Sequence, residues 1–595
     1  MCIKIISMRK KDIKLVAMLL FVIMAVLLPA TCFASGTDWT QFQYDLYNNG
    51  VTLDPAPITS PSLGWKQQVG NATMSGIDSI PLVAGGNVFV LDATGMAWAF
   101  NATTGVKQWS TQLNGTGSQL ATPVYNGGWL YMATNNGYVY QLNAATGAIA
   151  WTANLSYQSQ APPAGCIACN SQMNTTVKYN NGLVYVGAWN AGSSTNEYYY
   201  CLNANTGQPG IGAQYQMPNT ASPGGYYWAG ACFVGNYMIF GSDNVTLTCI
   251  DANTGAFYSQ VAMSSAVPAD TPANGCFIRS SVSYDPANDM LFFTDEGGYC
   301  WGFQLDTSTG GLTWKWDKMI GFSTSTPAIC NGNLYVGYGN VYGSGGGVYC
   351  LNESTGSVNW QYIATGNGQP SSGGAVQASP AISVQSGAPD VYFTTNSANS
   401  QVYCLDQHGD QVWDYAEQEP SGPARYTLQG VAISNGWLYF GNDSGYLYAL
   451  QTLVVPVTGS AALGSYSGDL TGQIQVYVDG TQQATTDASG SYTISGVSPG
   501  SHLFTIESPG YLKASGTIDV AGGITIPAVT LLAGDVNGDG VINIDDYTDL
   551  VQAYGAGSGS SNWNAAADFD RNGVINIDDY TDLVVNYSKS ATQIP

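Results

Sequence analysis

A nine-residue pattern that returns along the middle of the chain constrains this sequence more than any other feature. Asn101-Ala-Thr-Thr-Gly-Val-Lys-Gln-Trp109, Asn143-Ala-Ala-Thr-Gly-Ala-Ile-Ala-Trp151 and Asn352-Glu-Ser-Thr-Gly-Ser-Val-Asn-Trp360 are its clearest copies. Weaker copies stand at 203–207, 251–255, 306–310 and 406–413. An alternating strand precedes several of them, as in Tyr138-Val-Tyr-Gln-Leu142 and Val402-Tyr-Cys-Leu405. Further upstream come a second strand (Trp129-Leu-Tyr-Met) and a short one (Thr122-Pro-Val-Tyr). Each unit therefore reads as about four strands, repeating every 42 to 60 residues, which is the plan of one propeller blade. Asn or Asp with Thr-Gly makes the turn between third and fourth strands, where Gly accepts positive φ. The Trp fills the wedge that widens between neighbouring blades.

A ring of blades leaves an edge unless its two ends share strands. The last unit, 428–450, has three strands and no Trp strand, while Leu63-Gly-Trp65-Lys-Gln-Gln-Val69 is an outer strand without a unit. The pairing of these two predicts a closed ring of eight blades, seven complete and one composite, and a mainly β fold.

The chain begins with basic residues, an apolar run at 15–28 and Ala30-Thr-Cys-Phe-Ala34, the order of a secretory signal covering residues 1–34. No later run is long enough to span a bilayer. The whole chain carries 39 acids and 15 bases. Residues 1–14 hold five of those bases and one acid, so the remainder carries 38 acids and 10 bases, a charge of −28. Such a surface repels nucleic acid and anionic lipid. Export favours disulfides among the ten remaining cysteines, Cys166, Cys169, Cys201, Cys232, Cys249, Cys276, Cys300, Cys330, Cys350 and Cys404. Cys166-Ile-Ala-Cys169 lacks the second Cys or His pair that a zinc site needs.

The repeat over residues 38–452 resembles the quinoprotein-type (PQQ-like) eight-bladed propellers, whose blades carry this Thr-Gly-x-x-x-Trp pattern. That family includes alcohol dehydrogenases using pyrroloquinoline quinone with calcium, and also non-enzymatic scaffolds. The enzymes place adjacent cysteines against the cofactor, and no two cysteines here are neighbours. Pyrroloquinoline quinone is therefore not expected. Arg279 and Arg425 each precede an innermost strand, near the central channel, where two guanidinium groups would clamp a carboxylate or sulfate. The alternative is that each pairs with a local acid such as Asp270 or Glu419.

Residues 455–532 break the Trp period and read as short strands; Thr485-Thr-Asp-Ala-Ser-Gly-Ser-Tyr492 and Pro509-Gly-Tyr511 resemble carboxypeptidase-regulatory-like β-sandwich modules. At 533–588 two loops follow the calcium pattern of alternating oxygen ligands with Gly at position six and a carboxylate at twelve. The first offers Asp535, Asn537, Asp539, the Val541 carbonyl, Asn543 and Asp546. The second offers Asp568, Asp570, Asn572, the Val574 carbonyl, Asn576 and Asp579. An amphipathic helix follows each, with Ile544, Tyr547, Leu550, Val551 and Tyr554 matching Ile577, Tyr580, Leu583, Val584 and Tyr587. Two such loop–helix units resemble type I dockerin modules, which bind cohesin domains of scaffold proteins. The resemblance implies that Ile544, Asp545, Ile577 and Asp578 contact the partner, and that near-identical halves allow two binding orientations.

These features describe a secreted, non-catalytic propeller with a binding face for an extracellular glycan or protein. A calcium-dependent tail joins it to a cohesin-bearing surface or polysaccharide-degrading assembly. Two alternatives are an extracellular carbohydrate-active enzyme, which needs paired carboxylates, and a pyrroloquinoline-quinone oxidoreductase.

Overall fold

The computed structural model describes residues 38–594, except 71–75, 116–118, 156–171, 191–195, 340–344, 365–373, 386, 398–399, 417–425, 499 and 521–522. The expected export signal, Cys166, Cys169, Glu419 and Arg425 lie outside the described residues. No described helix is long and apolar enough to cross a membrane.

The turn chemistry works as its composition dictates. Asn101 Oδ1 accepts hydrogen bonds from the Thr104 amide and hydroxyl, both at 2.9 Å, while Gly105 adopts φ +68°. Asn143, Asn203, Asp251 and Asn352 repeat this arrangement. In the first blade the turn joins Met96–Asn101 to Lys107–Gln112, behind Leu82–Ala84 and Asn87–Leu91. Strand pairing is antiparallel throughout that blade.

The outer strand bulges at the tryptophan, with register shifts beside Trp65, Trp109, Trp151, Trp316, Trp360 and Trp413. A bulge re-aims a side chain, and here it turns each indole onto the next blade. Trp109 Nε1 donates to the Ala144 carbonyl at 2.8 Å, Trp151 to Ala204 at 2.9 Å and Trp316 to Glu353 at 2.9 Å. The ring also rests against the turn glycine, where a Cβ on Gly147 would lie 2.5 Å from Trp109. The repeated Gly thus meets two demands at once, positive φ and close approach of an indole.

Eight successive sheets follow this plan, with inner strands Leu82–Ala84, Val124–Asn126, Lys178–Asn180, Cys232–Val234, Ser283–Asp285, Ala328–Cys330, Ala381–Ser383 and Ala432–Ser434. The inner strands of the first and eighth blades lie side by side. Closure is as expected: Pro61–Gln68 pairs with Tyr446–Thr452 and completes the eighth sheet. The third blade differs from expectation, because its outer position carries only isolated bridges at Pro209 and Gln216. Pro209, Gly210 and Gly212 interrupt the strand there, and no Trp is present.

One feature escaped the pattern. The segment 39–57 winds along the inner strands in blade order. The mid-strand amides of Val83, Tyr125, Phe233, Tyr284, Ile329 and Ile382 donate to the carbonyls of Trp39, Thr40, Leu46, Tyr47, Asn49 and Gly50 at 2.8–3.0 Å. Inner edges that would otherwise expose donors are thereby satisfied. At the third blade the buried Lys178 ammonium holds the segment, donating to Asn48 Oδ1 at 2.5 Å and the Asp45 carbonyl at 3.0 Å. Two residues before the inner strands, hydroxyls tie blade to blade: Thr122, Ser281, Thr326 and Ser379 accept from the amides of Ile80, Gly230, Ser281 and Thr326.

The expected disulfides are corrected by the structure: all eight described cysteines are buried and unpaired. The reason is again the repeat. Cys350 and Cys404 sit opposite the docking Trp of their own blades, where the first blade has Ala99 and the eighth Ala449. Equivalent copies therefore belong to different wedges of the core. Burial pushes the Cys201 and Cys249 thiols up to about 12.

Beyond the ring, two sheets form around Val455–Leu463 and Gln475–Val478. Their core continues without a break from Val457 to Ile594, so the strands at 455–531 and the loop–helix units share one interior. Thr592–Gln593 adds a parallel strand to Ala514–Val520.

Candidate functional site

The C-terminal units are built from the cap outward. Helices α1 (Ile544–Ala553) and α2 (Ile577–Asn586) each begin with a capping box, Asn543 with Asp546 and Asn576 with Asp579. Asn543 Oδ1 accepts from the Asp545 amide at 2.7 Å, and Asn576 Oδ1 from Asp578 at 2.7 Å. These two asparagines, expected as ligands, also cap the helices, and Asn543 stays within its loop, donating to the Val541 carbonyl at 3.2 Å and to Asp539 Oδ2 at 3.5 Å.

The carboxylates converge. Asp535, Asp539 and Asp546 bring oxygens within 4.8 Å of one another, as do Asp568, Asp570 and Asp579. Asp535 Oδ2 accepts from the Gly540 amide at 3.1 Å and Asp568 Oδ2 from Gly573 at 3.0 Å. The other oxygen of each, Asp535 Oδ1 and Asp568 Oδ1, is buried without a partner among the described residues. A buried carboxylate oxygen without a donor is costly unless a cation meets it. Burial raises both carboxyls above their ordinary range, Asp546 adding to Asp535 and Asp570 to Asp568. Hard oxygens, two orphaned acceptors and clustered negative charge fit a divalent cation such as calcium.

The halves are related by a local twofold. Val541 bridges Ser590 and Val574 bridges Gly557, so each loop pairs with the chain that follows the opposite helix. Tyr547 and Tyr580, at equivalent positions, meet edge to face at 6.1 Å. The apolar face of each helix is divided between core and surface. Leu550 and Leu583 are buried, but Ile544 and Ile577 are 59% and 57% exposed, and Val551 and Val584 47% and 48%. Tyr554 and Tyr587 are exposed as well. Two matching apolar surfaces face solvent, with Asp545 and Asp578 exposed beside them.

The ring offers a second candidate at the channel mouth. In seven of the eight blades the residue four positions before the inner strand gathers there, including Asn174, Trp228, Arg279, Thr324 and Gln377. Counting back from the inner strand would have found this set in the sequence. Arg279 does not face the mouth as a free clamp. It forms ion pairs with Asp243 at 3.0 Å and Glu296 at 3.2 Å, acids other than those expected. Asp270 instead hydrogen-bonds Asp295, whose carboxyl is raised by burial and by that contact. The described mouth residues enclose about 20 Å³, space for one water. A tricyclic tricarboxylate such as pyrroloquinoline quinone does not fit there, and the one basic side chain among the described mouth residues is already neutralised.

The family described as outer membrane protein assembly factor BamB matches residues 58–229 and 172–452. No curated protein matches the chain. Among solved structures, a europium-containing methanol dehydrogenase is 12% identical, with 70% of this chain and 99% of that one covered at a TM-score of 0.53. A quinohemoprotein alcohol dehydrogenase from Comamonas testosteroni is 12% identical over 71% of this chain and 81% of that one, at 0.51. At these identities the likeness extends to the propeller-type fold alone. A type II cohesin–X-dockerin complex from Acetivibrio cellulolyticus is 22% identical, covering 23% of this chain and 97% of that one, but a TM-score of 0.21 is too low to show a shared fold.

Proposed function

The chain belongs to the family described as outer membrane protein assembly factor BamB, and from that premise we propose that its ring is an exported, non-catalytic display body. The C-terminal units tether it through calcium to a protein partner of the cohesin type. The supporting observation is the pairing, in two twofold-related loops, of an orphaned buried Asp oxygen with an exposed apolar helix face. In the first loop Asp535, Asn537, Asp539, the Val541 carbonyl, Asn543 and Asp546 would hold the ion. Asp568, Asp570, Asn572, the Val574 carbonyl, Asn576 and Asp579 would do so in the second. Bound calcium would offset the repulsion among three carboxylates in each loop and fix the helices that begin there.

Exposed Ile, Val and Tyr on a charged tail suit a partner with an apolar, uncharged centre. Ile544 with Asp545 and Ile577 with Asp578 lie at the N-terminal ends of α1 and α2, on the exposed faces. The matched exposure of the two halves supports binding in either of two orientations. The test is capture of the calcium-loaded full chain on immobilised cohesin repeats. Retention with calcium and release by chelator support the reading, and no retention from a panel of cohesins overturns it.

A further inference from the structure

We propose that the cleft beside Arg279, among the third, fourth and fifth blades, binds a neutral carbohydrate. This deepens the reading of the ring as a display body and rests on it. The cleft measures about 480 Å³, within the range of small-ligand sites. Trp189, Phe277, Pro223 and Pro272 form its walls, and Asn190, Asn244, Asp243 and Arg279 bring polar groups to it.

The ring's own repeat marks this place as exceptional. The turn between second and third strands ends on Gly95, Gly137, Gly298 and Gly445 in four blades, each with positive φ. In the fourth blade the same position is Val245, at φ +54°. A β-branched residue there stores roughly 1–3 kcal/mol of strain, the kind that persists at functional sites. That turn presents Asp243 and Asn244 to the cleft.

Charge and shape select the ligand. Asp243, Glu296 and Arg279 sum to −1, within a chain of net charge −24, so an anionic ligand is repelled. The guanidinium already lies 4.6 Å from the Phe277 ring centre, 4.8 Å from that of Tyr227 and 6.0 Å from that of Trp189, so the faces turned to it are not open to another cation. Three hydrogen bonds to acids use three of its five N–H groups. The remaining two, with the acid oxygens and the exposed amide of Asn244, match hydroxyl groups that both donate and accept. Trp189 is half-buried at the wall, held by its Nε1 bond to Asp243 Oδ2 at 2.9 Å and packed against Tyr227 at 4.7 Å and Arg279 at 6.0 Å. Its exposed part is the apolar surface offered to the C–H face of a sugar ring.

Calorimetric titration of the calcium-loaded full chain tests this, using oligomers of glucose, xylose, mannose, galactose and arabinose. Oligogalacturonate serves as the anionic arm and tetramethylammonium as the cationic arm. At least one neutral oligomer should bind, and Trp189→Ala and Phe277→Ala should each weaken it tenfold or more. Asp443→Asn, at the opposite side of the mouth, should leave it unchanged. Should a variant fail to fold, ligand-induced protection from hydrogen exchange at 243–246 and 277–279 in the unaltered protein gives the same answer. No binding by any neutral oligomer, preference for a charged arm, or binding that survives both substitutions overturns the proposal. Cohesin capture on the same protein is read separately, so failure of one leaves the other legible.

Discussion

Trp413 Nε1 donates a 2.9 Å hydrogen bond to the carbonyl of Pro57, a residue that precedes it by 356 positions. In the first, second, fifth and sixth blades the indole docks on the Asx-Thr/Ser-Gly or Asp-Gly turn of its neighbour. The eighth blade has no such turn, because its outer strand is Pro61–Gln68 from the start of the chain. Pro57 takes the turn's place and also accepts from Tyr392 at 3.0 Å. The chain start therefore closes the ring twice, as a strand and as a docking carbonyl.

Closure of this kind predicts a graded loss. Trp413→Phe should cost about 1 kcal/mol, the usual worth of one buried hydrogen bond. Trp65→Ala should cost about 3–5 kcal/mol, since it empties the wedge between the last and first blades. Denaturant unfolding of the ring transition measures both, and equal costs would contradict the assignment.

Two glycines separate strain from contact. Gly356 (φ +67°) has Trp316 within 2.5 Å of an added Cβ, whereas Gly436 (φ +82°) faces open space. Both alanine variants carry the backbone penalty, roughly 1–3 kcal/mol. Only Gly356→Ala also displaces an indole, so it should melt at the lower temperature.

The correction on cysteine gives a redox prediction. In a Cys166→Ser, Cys169→Ser variant, reductant should leave the melting temperature unchanged. The thiols should react with a disulfide reagent only after unfolding, because burial keeps them protonated.

The ring should lose stability as pH rises from about 4 to 8. Burial, with the neighbouring Asp270 and Asp78, raises Asp295 and Asp443; burial raises Glu353 to about 7 and, with Asp406, Asp390 to about 6. Folded carboxyls then hold protons that the unfolded chain has lost above roughly 4, so stability present in acid declines through their folded pKa values. Thermal unfolding in calcium at pH 5 and pH 8 checks the sign; greater stability at pH 8 would contradict it.

Much of this was legible before any coordinates. The turn, the docking Trp and the composite blade follow from spacing, since identical residues meet identical neighbours around a ring. What stayed hidden depended on contacts without periodicity. Residues 39–57 carry no repeat, yet Trp39, Leu46 and Gly50 each meet a different inner strand. Cys350 and Cys404 stood among ten cysteines for which export favoured disulfides, whereas their equivalence to Ala99 marks them as core. In the tail, spacing identified the acidic loops but could not show that Asn543 also caps α1, nor that Val551 faces solvent.

Calcium titration of the chelator-treated full chain tests the central claim most directly. The account predicts two ions bound per chain, one lost in Asp535→Ala and one in Asp568→Ala, with Asp443→Asn still binding two. Absence of any calcium binding, or uptake undiminished in both loop variants, would contradict it.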